Sequence, residues 1–181
     1  MDDIVKAAMA KWPHVPDCYG WLGLDARGHW YVRDLAAQQA GPFSGAGATP
    51  RSKGTRLLHD KLIAFIGRNY ASDDRGCRYF QNGPQRVYVE LEAAPWVWRL
   101  TPQGQLSSHT ERPAVFRAAY VDETGRLFIE TDLGLGLLHT QDVHLAADRI
   151  ESGLWPLEEN DWRGLLARCG VVPSPLALSV A

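Results

Sequence analysis

Three copies of one short pattern constrain this chain more than any other feature. They are Asp25-Ala-Arg-Gly28, Asp73-Asp-Arg-Gly76 and Asp122-Glu-Thr-Gly125, each running into an aromatic or aliphatic stretch: His-Trp-Tyr-Val, Cys-Arg-Tyr-Phe and Arg-Leu-Phe-Ile. Asp at the first position and Gly at the fourth are the preferences of a type I turn. A half-buried strand beyond the turn makes each one the tip of a hairpin. The three turns fall at near-equal intervals. Two accounts fit: common turn chemistry reused, or an internal repeat whose longer similarity joins the second and third copies. In both, turn chemistry explains Asp25, Asp73 and Asp122, so they are not candidate ligands or bases.

The remaining pattern alternates between strands and a few helices. Residues 4–11 read as a short helix with Ile4, Val5, Ala8 and Met9 inward, stopped by Pro13 and Pro16. Strands are expected over 19–24 and 29–33. Residues 41–54, rich in Gly, Pro, Ser, Ala and Thr, read as a loop. Leu58, Leu62, Phe65 and Ile66 fall at helical spacing, with Gly67 as an end cap. Strands over 77–81 and 85–91 flank Asn82-Gly83, a strong hairpin signal. Further strands are expected over 96–100, 114–121 and 126–131. Gly134 and Gly136 read as a bend, 158–169 as a last helix, and the residues from Ser174 as a loosely docked tail whose Leu176-Ala-Leu-Ser-Val run is apolar. The expected class is α+β, with repeated antiparallel β-hairpin units packed with a few helices. An N-terminal hairpin-plus-helix subdomain would span 1–70 and a β-rich subdomain with a C-terminal helix 71–181, or the two would close into one compact domain.

Composition narrows the function classes. The chain has 181 residues, of which 45% are hydrophobic and 22% charged, enough apolar material for a core. A net charge of -2 leaves no global field to hold polyanions, which disfavours nucleic acid. Cys18, Cys77 and Cys169 are scattered and odd in number, which suits neither a disulfide framework nor a zinc ribbon. With no signal-like start and no apolar run of membrane length, a cytoplasmic location is expected and a membrane partner is not. Seven tryptophans are present, at 12, 21, 30, 96, 98, 155 and 162. Trp serves both recognition surfaces and cores.

Several residue sets invite chemistry. Gly45 to Thr55 has glycines, Lys and Thr, but the order Lys-Gly-Thr and Pro50 exclude a P-loop. A weaker anion site survives there, with Arg51, Lys53, Thr55 and Arg56 expected before a helix N-terminus. His139-Thr-Gln-Asp-Val-His144 is the densest histidine group, and on a strand Asp142 and His144 would share a face. It lacks a visible third ligand, so no metal and no cofactor are expected. In Val87-Tyr-Val-Glu-Leu-Glu-Ala, Tyr88, Glu90 and Glu92 alternate onto one side, placing two carboxylates about 7 Å apart. That spacing suits an acid/base pair or a solvated strand face countered by Arg86 or Arg99. Arg86, Tyr88, Glu90, Trp96 and Trp98 together suggest an aromatic recognition surface with a charged rim, beside the plainer account of a packed core.

A resemblance can be placed on these residues. A Gly-Trp strand, an Asp-x-x-Gly-x-Trp-Tyr hairpin and a Leu-rich helix come first. Asp-x-x-Gly-x-x-Tyr-Phe, Val-x-Val-Glu-x-Glu and Ala-Pro-Trp-Val follow. The order resembles a bacterial family of unassigned function, domain of unknown function 1285. The matching stretches are 19–32, 57–65 and 73–97, and residues 41–54 are longer than that family leads one to expect. The resemblance implies an α+β fold with repeated motifs and a signalling or ligand-binding role, and supplies no catalytic residue.

Two functions are therefore carried forward. The first is a non-enzymatic module binding a small molecule or protein partner, in a regulatory setting; a further copy of the chain is one such partner. The second is a hydrolase or transferase drawing acid/base residues from Glu90, Glu92, His139 and His144.

Overall fold

The computed structural model describes residues 1–179. In chain order the elements begin with α1 (Asp3–Lys11), β1 (Cys18–Leu24), β2 (Trp30–Val32), α2 (Leu35–Gln39), α3 (Pro50–Lys53), β3 (Thr55–Arg56), α4 (Asp60–Arg68), β4 (Tyr70–Ser72), β5 (Arg78–Asn82) and β6 (Gln85–Leu91). They continue with β7 (Trp96–Leu100), β8 (Leu106–Ser108), β9 (Pro113–Ala114), β10 (Phe116–Val121), β11 (Leu127–Thr131), β12 (Gly134–Leu138), a 3-10 turn (Thr140–Asp142), α5 (Val143–Glu151), β13 (Leu157–Glu159), α6 (Trp162–Arg168) and α7 (Pro175–Ser179). The class is α+β, and antiparallel hairpins dominate both sheets.

The chain forms two compact units. The first comprises Met1–Asp25, His29–Glu92 and Val172–Ala181; the second, Ala26–Gly28 and Ala93–Val171. A boundary between 70 and 71 would cut the first sheet, because Tyr70 opens β4 and β4 pairs with β5. Each unit is built on one sheet, ordered β3-β2-β1-β6-β5-β4 in the first and β9-β8-β7-β12-β11-β10-β13 in the second. Apart from β13 the two orders are the same. In each, two antiparallel meanders are joined by one parallel pair, β1 with β6 and β7 with β12. Register agrees too: Leu24 pairs with Trp30 and Leu22 with Val32, as Leu100 pairs with Leu106 and Trp98 with Ser108.

The Asp-x-x-Gly turns share one geometry. Asp25, Asp73 and Asp122 each bond through backbone N–H to the carbonyl four residues on, and each carboxylate accepts the N–H of that same residue. The residue before it lies in the left-handed region: Gly28 at φ 84, Gly76 at 82 and Gly125 at 81. This is a three-residue hairpin loop closed by a bulge. Two more copies escape the Asp-x-x-Gly pattern. Thr101 heads one, with Gly104 at φ 88. Ser108 heads the other, with Glu111 at φ 63 where glycine would be relaxed.

One face of the first sheet packs α4, with Phe65 edge-on to Phe80 and Trp30 edge-on to Tyr70. The second unit centres on Tyr120, Phe128, Leu135 and Leu137 packed with Leu165 and Leu166 of α6. Several local expectations change. Ile4 points to solvent and Val5 inward. Leu58 is exposed and precedes α4, whose N-cap is His59 and whose C-cap is Asn69 rather than Gly67. The β5–β6 turn is Gly83-Pro84, since Asn82 still pairs with Gln85. Gly134 and Gly136 lie within β12, where absence of a side chain at Gly136 admits the Trp98 indole. The helix expected over 158–169 begins only at Trp162, since residues 157–159 form β13, and it is followed by a further helix, α7. Residues 139–144 leave the sheet for the 3-10 turn and α5, so Asp142 and His144 share no strand face. The tail is docked through Ser179, and Val180 lies outside the described residues.

Candidate functional site

The register of the first sheet assembles the site. Tyr79 faces Tyr88 and Gln81 faces Arg86 across β5 and β6, so all four side chains stand on one face, opposite Phe80 and its α4 partner. Glu90 joins them by alternation along β6. A register shift between Cys18 and Leu22, with Gly20 at φ 79, interrupts the pairing of β1 with β6 beside Tyr19. Its ring stacks on Tyr88 at 4.5 Å, the two planes nearly parallel.

Two arginines complete the cluster. Arg75, half-exposed at the tip of the Asp73 turn, pairs with Asp73 at 3.2 Å and reaches the hydroxyls of Tyr19 and Tyr88, each at 3.5 Å. The Tyr88 hydroxyl donates to Asp73 at 3.1 Å. Burial pushes the Tyr88 phenol up to about 12, so it remains a donor across the physiological range. Burial also acts to raise Asp73, but bonds from the Cys77 N–H, Arg75 and Tyr88 more than offset it and hold the carboxyl below its ordinary range. The Arg86 guanidinium lies 4.9 Å from the centre of the Tyr79 ring. Among the described residues no carboxylate oxygen comes within 4 Å of it.

Farther along the same face the groups are tied to structure. Glu90, 4% exposed, accepts the Ser174 hydroxyl at 2.5 Å and the Leu176 N–H at 3.0 Å. It thereby holds α7, and the Leu91 N–H bonds the Pro173 carbonyl alongside. Burial raises the Glu90 carboxyl above its usual value despite those two bonds and the Arg33 charge. Arg33 is buried and donates to the carbonyls of Ser52, Gly20 and Gly41, which fastens the 41–54 segment to the sheet. Lys53 pairs with Glu92 at 2.9 Å and lies over Tyr31 and Phe43.

The sequence-chosen residues are thus divided. Arg86, Tyr88 and Glu90 come together in the first unit. Trp96 and Trp98 belong to the second, are 2% and 0% exposed, and donate their indole N–H groups to the carbonyls of Leu133 and Ile129. They are core. Arg51, Lys53 and Thr55 do not gather before a long helix: Arg51 and Lys53 sit in the single turn α3, capped by Thr49, and Thr55 pairs with Val32 in β3. Glu90 and Glu92 have separate partners. His139 accepts the Gln141 N–H as a cap, and His144 is exposed on α5. Asp142 is buried against Arg99 at 2.6 Å and the Leu100 N–H at 3.0 Å. Tyr19, Arg75 and Ser174 were not singled out from sequence; alternation of 19 with 88 gives no sign that a bulge and a returning tail bring them together.

Comparison with known proteins gives a family without an activity. The sequence model of DUF2944, described as a protein of unknown function (DUF2946), matches residues 1–173. Two solved structures of DUF1285 family proteins are similar. One, from Silicibacter pomeroyi DSS-3, is 12% identical and covers 73% of this chain and 69% of its own, with a TM-score of 0.48. The other, from Shewanella baltica OS155, is 14% identical and covers 71% of this chain and 91% of its own, with a TM-score of 0.41. Curated proteins gave no match. Among the described residues no helix is long and apolar enough to cross a membrane.

Proposed function

The chain belongs to the DUF2944 family of unknown function, and we propose that its first unit is a non-catalytic binding module that takes a small carboxylate- or phosphate-bearing ligand beside Tyr19, between Arg75 and Arg86. One observation carries this reading: the Arg86 guanidinium lies over the Tyr79 ring at 4.9 Å, and among the described residues no carboxylate oxygen comes within 4 Å of it. A guanidinium fixed on a ring is pre-organised, so it loses little freedom on binding an anion. The second unit supplies a contrast. Phe128 pairs with Leu137, and Leu135 with Glu130, at the strand positions where the first unit pairs Tyr79 with Tyr88 and Arg86 with Gln81. There Phe128, Leu135 and Leu137 pack α6, with Glu130 accepting from the Tyr120 hydroxyl; here the same positions carry two phenols, a glutamine and a guanidinium.

The candidate acid/base residues support binding over catalysis, since Glu90 anchors the tail, Glu92 pairs with Lys53 and His139 caps a turn. A cytoplasmic setting belongs to the same proposal. Its support is three free thiols, all pushed up by burial and so poorly nucleophilic.

A thermal-shift and calorimetric panel of inorganic phosphate, citrate, nucleotides and aromatic acids tests the reading, because a ligand of the folded state must raise apparent stability. At least one should bind wild type, and Arg86→Gln combined with Arg75→Gln should abolish that binding while the far-UV spectrum is kept. Binding that survives the double substitution, or no binding by any member, refutes it.

A further inference from the structure

The chain returns to the first unit only after the second is built: Ala93–Val171 belong to the second unit, and from Val172 onward the tail belongs again to the first. Val172 and Pro173 sit beyond the last β5–β6 pair, Tyr79 with Tyr88. The Val172 N–H bonds the Gly76 carbonyl, the Leu91 N–H bonds the Pro173 carbonyl, and Cys77 and Val172 form an isolated parallel bridge. The six strands of that sheet all lie within residues 18–91, so its ladders are complete without the tail. What the tail does is cover. Val172 packs on the cluster of Cys77, Tyr79 and Tyr88, and Cys77 and Tyr88 are 0% and 1% exposed. Leu176 lies against Gly20, and Pro175 is buried. Helix α7 has five residues, too few to hold a helix without this contact.

The anchor is an ionisable group in neutral company. Buried Glu90 accepts from the Ser174 hydroxyl and the Leu176 N–H. Residues 172–179 carry no charged side chain. Across β1, Glu90 pairs with Gly23, which has no side chain to offer. Arg33 lends its charge, but its hydrogen bonds go to the Ser52, Gly20 and Gly41 carbonyls, and it makes no ion pair with Glu90 within 4 Å. Before β5, the Cys77 thiol is pushed up by burial and by the Asp73 and Glu90 charges, against Arg75. Lys53 is taken by Glu92. A carboxylate buried among neutral donors carries a desolvation cost that an opened tail removes. Burial raises Glu90, so docking is strongest below the carboxyl's open-state value and weakens as pH rises through the docked one.

We propose that residues 172–179 are a strap that leaves the first unit as one piece while the sheet stays folded, uncovering Cys77 and the Tyr88 ring, and that rising pH favours its release. Release bares ring surface beside the proposed anion site, so a regulatory role for the strap rests on that reading; the opening itself does not.

Amide exchange of the full chain, resolved by NMR and expressed as protection relative to the unfolded chain, tests the strap without any ligand. Leu91 is the telling position, because it lies in β6 while its N–H is bonded to the tail. Leu91, Val172 and Leu176 should share one opening equilibrium, at least about tenfold more frequent than that of the β5–β6 ladder amides. Their protection should fall at least about threefold from about pH 5 to about pH 8, and Glu90→Gln should remove that dependence. Ser174→Ala, which takes one donor from Glu90, should lower all three protections together by at least about threefold. Alkylation of Cys77, mapped by peptide apart from Cys18 and Cys169, should report the same opening equilibrium. The proposal is overturned by Leu91 exchanging with the β6 ladder, by Cys77 reacting only on global unfolding, or by wild-type protection that ignores pH. A pH dependence that survives in folded Glu90→Gln, or a Ser174→Ala variant that leaves Leu91 unchanged, overturns it too. Failure of the anion panel leaves each of these outcomes untouched.

Discussion

Glu90 offers the sharpest test of how the first unit is held together. Replacing it with Ala removes one methylene, about 0.8 kcal/mol, together with the carboxyl group, from a buried site. It also leaves the Ser174 hydroxyl and the Leu176 N–H without their acceptor, about 1–2 kcal/mol apiece for a buried group. The expected loss is about 3–5 kcal/mol. Glu90→Gln keeps the length, accepts from Leu176 through its carbonyl and donates to Ser174, so it should lose less than about 1 kcal/mol. Burial raises the folded-state carboxyl of Glu90. Its contribution to stability is therefore complete below the unfolded Glu value and is lost as pH rises through the higher folded value. Gln does not titrate, so Glu90→Gln should gain on wild type as pH goes from 5 to 8. Urea unfolding at the two pH values measures the differences, and amide exchange at Leu176 reports whether α7 stays docked. The reasoning fails if Ala is tolerated within about 0.5 kcal/mol, less than one hydrogen bond, or if Gln is as harmful as Ala. It fails also if the gap between Gln and wild type is the same at both pH values.

Three further outcomes are expected. Gly136→Ala drives a Cβ into the Trp98 indole and should destabilise by about 1–3 kcal/mol, the usual range for overpacking, with the near-UV Trp signal altered; unchanged melting would contradict the close approach. Glu111→Gly relieves the left-handed backbone at φ 63 and should stabilise by about 0.5 kcal/mol, the strain recovered less the added freedom of the unfolded chain, which calorimetric melting resolves. Asp142 is pushed up by burial but held below its ordinary value by Arg99 and the Leu100 N–H, so its stabilisation is present above the unfolded Asp value and disappears as pH falls through the folded one; Asp142→Asn should therefore lose stability at pH 7 and show a shallower acid limb than wild type.

The turn pattern made the hairpins legible, but the equal spacing of the three aspartates does not follow their places in the sheets. Strand order makes Asp25 the counterpart of Thr101, and Asp73 the counterpart of Asp122. The first pair is hidden because Thr supplies the same acceptor through Oγ1, and the Ser108 turn because Glu111 stands where Gly is expected. Helix α5 was hard to read for another reason: Val143, Ala146, Ala147 and Ile150 fall at helical spacing, but two of the four are alanines and over nine residues only Ala146 is buried. For the site, period-2 alternation sufficed to put Arg86, Tyr88 and Glu90 on one face. It could not separate them from Trp96 and Trp98, because Trp composition is the same at a surface and in a core; burial of both indoles and capture of their N–H groups by carbonyls decide the matter. Arg75 and Tyr19 meet Tyr88 through tertiary structure alone.

The likeness of the two sheets makes their differences informative. With strand order and register held in common, each unit serves as a reference for what the other's positions do when they only pack. In the second unit Phe128, Leu135 and Leu137 meet Leu165 and Leu166 of α6, with Tyr120 beside them donating to Glu130. In the first unit the equivalent strands present Tyr79, Arg86 and Tyr88, backed by Cys77 and Val172 and crossed at β1 and β6 by a tail that Glu90 holds. The second unit fills the positions of Tyr79, Arg86 and Tyr88 with Phe128, Leu135 and Leu137, and keeps its own phenol–carboxylate pair elsewhere on the face, Tyr120 on Glu130 with Arg168 over the Tyr120 ring. The polar set is also more demanding, since the Tyr88 hydroxyl must find Asp73 and Glu90 must find two donors, or buried groups are left unmet. A face that departs from an available apolar solution in this way is where an external ligand has most to gain.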